Sequence, residues 1–275
     1  MLKDMTLGQY FPGKTILHKL DPRMKLVIIV LYIVTVFLAD HIACYAAVLL
    51  SALLMVLLSR ISLKVILRGL KPILFILLFT LLLNLFLTKG DGNPLLAYRF
   101  IKIYPEGVKR AILMLIRVVS LVIGTSVLLS YTTSPLVLTG AIESLLSPLK
   151  RIKIPVHDFA MILTIALRFI PTLVEETERV MNAQKARGAA FDTGNLFRRA
   201  KALIPVIVPL LISSFGRADE LATAMECRCY RGDVGRTRFV RMRFAARDFI
   251  VLFLFALFLA GVVVANIHLP PVPWF

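Results

Sequence analysis

Several stretches of this 275-residue chain run without a charged side chain for about 18 residues, the length at which a helix rising 1.5 Å per residue crosses a bilayer core. No other feature restricts the fold as strongly. Backbone N–H and C=O groups in hydrocarbon must pair within their own segment, so each stretch reads as a membrane-spanning helix. An apolar content of 59% and a mean hydropathy of +0.84 agree, and they exclude an ordinary soluble domain. The first 24 residues carry charges and two prolines, unlike a cleavable signal peptide, so the first helix is expected to insert and stay.

The expected spans are 24–39, 42–58, 73–88, 108–129 and 249–265. Basic residues place the loops between them. Asp40-His41 holds neither Lys nor Arg and belongs outside, whereas the loop with Arg60, Lys64, Arg68 and Lys71 holds no acid and belongs inside. Residues 89–106 form an external loop of mixed charge, and Arg117 is the one charge deep in the fourth span. From Tyr131 to Arg247 the chain carries 18 of its 33 Lys and Arg together with ten acids, which makes this part an interior, cytoplasmic domain. The tail 269–275 has no charged side chain and ends on Trp274-Phe275, so it exits outside. The expectation is an all-α membrane protein of about five transmembrane helices plus a cytoplasmic domain of about three. Residues 1–130 make an arm and four spans, 131–247 the cytoplasmic domain, and 248–275 the last span and tail.

Within the cytoplasmic domain, Thr133-Ser134-Pro135 starts a helix that ends near Leu146, before Pro148. A second helix covers 158–185 with Pro171 as a kink. A third runs from Leu196 to about Tyr230, interrupted at Pro205 and Pro209. Both long helices begin apolar and turn charged, so that one half can embed while the other projects into the cytoplasm.

Much chemistry is missing from this inventory. The net charge of +17 comes with no nucleic-acid-binding signature, and its placement beside apolar runs makes membrane lipid, not nucleic acid, the expected neighbour. Gly8-Gln-Tyr-Phe-Pro-Gly13-Lys14-Thr15 fits the phosphate-loop pattern by letter, yet only seven residues precede it, too few for the strand that the chemistry needs. An arm on the membrane surface, with Tyr10 and Phe11 at the interface, is the expected structure there. Three cysteines, Cys44, Cys227 and Cys229, make neither a disulfide framework nor a zinc site. The span interiors contain no Asp or Glu of the kind that binds a driving ion. Arg117 and Asn84 are the polar candidates, for an interhelical hydrogen bond or a snorkelling side chain. No metal-ligand cluster and no nucleophile–base set appears, so catalysis by the chain is not expected and its energy must come from elsewhere.

One short pattern occurs twice. Ala183-Gln-Lys-Ala186-Arg187-Gly188 ends the second long helix, and Ala224-Met-Glu-Cys227-Arg228-Cys229 ends the third. In each, a small residue leads an arginine by four and small residues flank it, clearing a helix face for another surface. Helix capping by a cation and a glycine accounts comfortably for Arg187-Gly188 and less well for Arg228-Cys229. Docking of each guanidinium on carboxylates in a partner's groove accounts for both copies.

The twin motifs, Leu167-Arg-Phe-Ile-Pro171 and the N-terminal Gly8-Gln-Tyr with Leu17-His-Lys-Leu-Asp21-Pro-Arg23 resemble the transmembrane T component of energy-coupling factor (ECF) transporters. The second copy departs from the family pattern, reading Cys-Arg-Cys where the family has Ala-Arg-Gly. The resemblance implies a scaffold for vitamin or metal import. Two ABC-type ATPase subunits would bind the ATP and Mg, and a separate S component would hold the substrate. It also implies two long crossed coupling helices, with Arg187 meeting one ATPase and Arg228 the other. Pro171, Pro205 and Pro209 become candidate bend points or S-component contacts, and static kinks shaped by packing are the alternative. Two other readings stay open on sequence alone. One is a self-sufficient secondary transporter or channel with its own substrate site; the other is a purely structural membrane anchor.

Overall fold

The computed structural model describes residues 10–87, 96–98, 101–189, 191, 195–232 and 242–268. Gly8 and Gln9 of the phosphate-loop look-alike, Gly194 and the tail 269–275 lie outside them. The fold is that of an all-α membrane protein, with one short hairpin besides the helices among the described residues.

Two compact units divide the chain, Gly8–Leu138 with Met242–Phe275 and Thr139–Arg241. The first is built around α1 (Pro22–Leu38), whose start is set by Asp21. The Asp21 carboxylate accepts the N–H of Arg23 at 2.9 Å and Pro22 takes the first helical position, where its missing N–H costs nothing. Helix α2 (Ile42–Ser59) ends where Arg60 turns left-handed at φ 54°. A short amphipathic α3 (Leu63–Leu70) leads through a 3₁₀ turn at Pro72 into α4 (Leu74–Leu87). Strands β1 (Leu96–Tyr98) and β2 (Ile101–Ile103) pair antiparallel, Leu96 opposite Ile103, where only a loop was expected. Then comes α5 (Pro105–Thr125), extended by a π-helical turn from Ser126 to Tyr131. Helix α9 (Ala246–His268) completes this unit.

Helix α1 packs on α9 and α5, and α5 packs on α2 and α4. Ile28, Tyr32, Val36, Val48, Val127 and Leu128 are fully enclosed there. Tyr32 donates its hydroxyl to the Ser120 carbonyl at 2.9 Å and meets the Phe255 ring edge-on. Leu57, Phe75 and Phe253 point outward, as expected where the surrounding solvent is hydrocarbon.

All five expected spans appear as helices. By length and composition six helical stretches among the described residues could cross a membrane: α2, Leu63–Phe86 in α3 and α4, α5 with its π turn, Val156–Ala186 (α7), Phe197–Cys227 (in α8) and α9. The list differs from the expected five for two reasons. The 17-residue α1 is shorter than any of these six, and α7 and α8 join them, each with an apolar half.

The N-terminal arm also differs from expectation. Tyr10 and Phe11 are exposed, but Leu17 and Leu20 are buried in the core, so the arm is anchored and not merely laid on a surface. Phe11 donates its N–H to the Tyr131 carbonyl at 3.0 Å. Residues 15–19 form a turn and no helix begins at Lys14-Thr15, so the described part lacks the helix N-terminus a phosphate loop needs.

The second unit holds most of α6 (Pro135–Leu145), α7 (Val156–Ala186) and α8 (Leu196–Cys227). Its α6 starts as expected on Ser134-Pro135, with the Leu138 N–H bonded to the Ser134 carbonyl. Pro205 and Pro209 do not interrupt α8, which corrects the sequence expectation: both lie inside one continuous helix, as Pro171 does in α7. Each proline removes one backbone bond, a local loss that the intact turns on either side withstand.

Candidate docking site at two helix ends

Helices α7 and α8 finish with the same pair of backbone bonds. Arg187 is the last, half-helical residue of α7, and Gly188 beyond it is left-handed at φ +87°. The Gly188 N–H bonds to the Lys185 carbonyl at 2.9 Å and the Ala189 N–H to the Gln184 carbonyl at 3.0 Å. In α8, Arg228 holds the corresponding place and Cys229 is left-handed at φ +53°. Cys229 N–H bonds to the Glu226 carbonyl at 2.8 Å and Tyr230 N–H to the Met225 carbonyl at 3.0 Å. Both ends are therefore Schellman caps, which satisfy the last helical carbonyls without any side chain. Capping geometry thus fits Arg228-Cys229 as well as Arg187-Gly188, although a cysteine rarely takes the left-handed form.

The cap uses the backbone and leaves the arginine side chains uncommitted to it. Arg187 and Arg228 are exposed, as are Ala183, Ala186, Gly188, Ala224, Cys227 and Cys229. Each helix end thus shows a guanidinium on a surface of small side chains. Arginine in such a setting offers a planar fork of donors suited to a carboxylate.

The two helices pack on each other, and a polar link joins them. Glu176 of α7 accepts from Ser213 Oγ at 2.7 Å and pairs with Arg217 Nη2, both on α8. Glu176 stands eleven residues before Arg187, and Arg217 stands eleven before Arg228. At 1.5 Å per residue, each arginine is about 16 Å of helix beyond the link. Sequence reasoning missed all three residues of this link. Its one signal was the equal offset from the repeated arginines.

Toward their N-termini both helices carry exposed apolar side chains, among them Phe159, Ile162, Ile204 and Ile207. A face of this kind calls for lipid or another protein. His157 at the start of α7 is bound to Glu143 of α6, Nδ1 to Oε1 at 2.9 Å.

In the first unit the polar candidates of the spans find partners. Arg117 donates to the Ala39 carbonyl at 2.6 Å, lies 3.4 Å from Asp40 Oδ1 and stacks over the Tyr45 ring, so it is the interhelical fastener expected. Asn84 bonds instead within its own helix, to the Thr80 carbonyl. Two buried charges escaped the sequence reading. Lys25 donates to the Thr132 carbonyl, Thr132 Oγ1 and Thr133 Oγ1 at 2.9, 3.0 and 2.9 Å. Asp248 accepts the backbone N–H groups of Asp21 and Ala245 at 3.0 and 2.7 Å.

Fold and helix ends together define a class: a multi-pass, all-α membrane protein that presents two arginines on matched helix ends. Comparison with known proteins gives the family. The profile of the cobalt transport protein family, CbiQ, matches residues 13–239. The energy-coupling factor transporter transmembrane protein EcfT of Clostridium kluyveri is 50% identical over 250 residues, 91% of this chain and 92% of that protein. Its namesake in Ruminiclostridium cellulolyticum is 49% identical over 263 residues, covering 96% and 97% of the two chains. That of Bacillus subtilis is 43% identical over 248 residues, covering 90% and 93%. The chain belongs to this family of transmembrane transport proteins.

Proposed function

We propose that the chain is the transmembrane scaffold of an ECF-type ABC importer for a vitamin or metal. It would couple ATP binding and hydrolysis in two ATPase subunits to movement of a substrate-binding S component. The observation that carries this reading is the pair of exposed arginines on matching Schellman ends. Two copies of one geometry suit two copies of one kind of partner. Arg187 docks on one ATPase and Arg228 on the other, each against carboxylates, with Ala183, Ala186 and Gly188, or Ala224, Cys227 and Cys229, giving the room for close approach. ATP and Mg are held by those partners, and this chain performs no catalysis. It sits in the cell membrane with its N-terminus and the α6–α8 unit cytoplasmic and its C-terminus external, a reading supported by the placement of the basic loops.

The link at Glu176, Ser213 and Arg217 gives the motion a pivot. A tip about 16 Å beyond the pivot moves when the ATPases close. The opposite arm of α7 runs 20 residues back to Val156, about 30 Å, so displacement there is roughly doubled. That arm carries exposed apolar side chains, which hold the S component; Pro171 is its bend point, and Pro205 and Pro209 are those of α8.

Reversing both charges, Arg187→Glu with Arg228→Glu, tests the docking. A truncated interface pair of this kind costs about 2–5 kcal/mol, so the ATPases should no longer copurify and uptake should stop. Undiminished association and uptake overturn the docking. Uptake by this chain alone in vesicles lacking ATPases makes it a self-sufficient transporter instead.

A further inference from the structure

The first unit contains a further candidate site of its own. A groove of about 770 Å³ lies between the α3–α4 segment and α5. Leu67, Leu70, Leu74, Leu78 and Leu81 line one side and Leu115 of α5 faces them. The five leucines recur at helical spacing and make a continuous stripe. Arg68 and Lys71 line the same groove at its α3 end, and both are exposed. With Lys64 they fall at i, i+4 and i+7, one helix face, and no acid occurs between Ser59 and Lys89 to neutralise them.

Leucines and cations make different demands, and only one kind of occupant meets both. Leu74 and Leu78 are 61% and 56% exposed inside a stretch long and apolar enough to cross a membrane, so they require hydrocarbon. Two cations at the same mouth require an anion, and basic pockets between membrane helices are where anionic lipid headgroups bind. A free phosphate leaves the leucines unserved, and an apolar protein helix leaves the cations unserved. We propose that this groove binds an anionic phospholipid, its phosphate held by Arg68 and Lys71 and an acyl chain lying along Leu74, Leu78 and Leu81.

The test uses the full chain in nanodiscs of phosphatidylcholine containing a minor share of phosphatidylglycerol. The lipid retained after transfer to detergent is read by native mass spectrometry. One phosphatidylglycerol should stay bound in preference to phosphatidylcholine. Arg68→Gln with Lys71→Gln should weaken retention about 25-fold, at roughly fivefold per cation. Leu78→Trp, which fills the groove and keeps both cations, should also displace the lipid; a folded variant is recognised by an unchanged elution profile. Equal retention of the two lipids, or unchanged phosphatidylglycerol in either variant, overturns the proposal. Displacement of the lipid by millimolar inorganic phosphate or glycerol phosphate makes this a plain anion site and overturns it too.

Discussion

Removing the carboxylate of Glu176 tests whether α7 and α8 act as a linked pair. That carboxylate accepts from Ser213 Oγ and pairs with Arg217, with the Glu176 and Arg217 side chains 21% and 31% exposed. A hydrogen bond to a charged group nets about 1.5–3 kcal/mol, and partial exposure draws the Arg217 contribution toward the lower end. The Ser213 bond adds about 1 kcal/mol. Glu176→Ala should therefore cost about 2–3 kcal/mol. The double-mutant cycle with Arg217→Ala should give a coupling of about 1–2 kcal/mol, because the second truncation removes a bond already lost. For a chain of this size, Glu176→Ala should lower Tm by about 5 °C. The functional readout is transport per ATP in vesicles holding the whole complex. If the link is the pivot, ATPases still copurify with Glu176→Ala while uptake per ATP falls. The exchange Glu176→Arg with Arg217→Glu restores both stability and coupling. Additive single losses in the cycle would refute the link, and unchanged uptake per ATP in a destabilised variant would refute the pivot.

Two further predictions come from the backbone. The Cβ of Gly188→Ala would meet no atom within 4 Å, so its cost is that of φ +87° alone, about 1 kcal/mol. Cys229→Gly releases the same strain in α8 and should leave stability unchanged or raised, measured by thermal unfolding in detergent; a loss above 1 kcal/mol would contradict the left-handed cap. Gly124→Ala would drive a Cβ into the enclosed Tyr32 ring, 2.6 Å from Cζ, and should cost about 1–3 kcal/mol by overpacking. Tyr32→Phe in the same background should not restore it, because the clash is with the ring as much as with the hydroxyl.

The membrane helices were legible because hydrocarbon imposes a length and forbids charge, two conditions visible in any single sequence. The twin arginines were legible because repetition needs no structure to be seen. What was hidden depended on which way a side chain turns. Glu175, Glu176 and Glu178 look alike in sequence, and only packing selects Glu176 to meet α8. Lys25 stands one residue inside an expected span and reads as a flanking charge; its burial depends on three oxygens contributed from more than 100 residues away. Pro205 and Pro209 read as breaks because proline costs a helix about 3 kcal/mol in isolation, whereas α8 runs through both. Cys229 concealed its cap because the left-handed form is expected of glycine, and its hydrogen bonds, not its identity, reveal it.

The buried charges bear on where the energy for transport enters. An ionisable residue within a membrane segment is ordinarily the first candidate for an ion or substrate site. Lys25 has all three ammonium protons engaged by neutral oxygens, and Asp248 receives two backbone N–H groups, one at the start of its own helix and one at the start of α1. To bind a driving ion, either group would first have to give up bonds that hold helix ends together, a penalty of about 1–3 kcal/mol for each buried partner left unpaired. Arg117 is likewise occupied with the α1–α2 turn. These three charges fasten helices. Among the described residues, the exposed Arg187 and Arg228 at the ends of α7 and α8 make no side-chain bond to the fold, which is what the proposed docking asks of them.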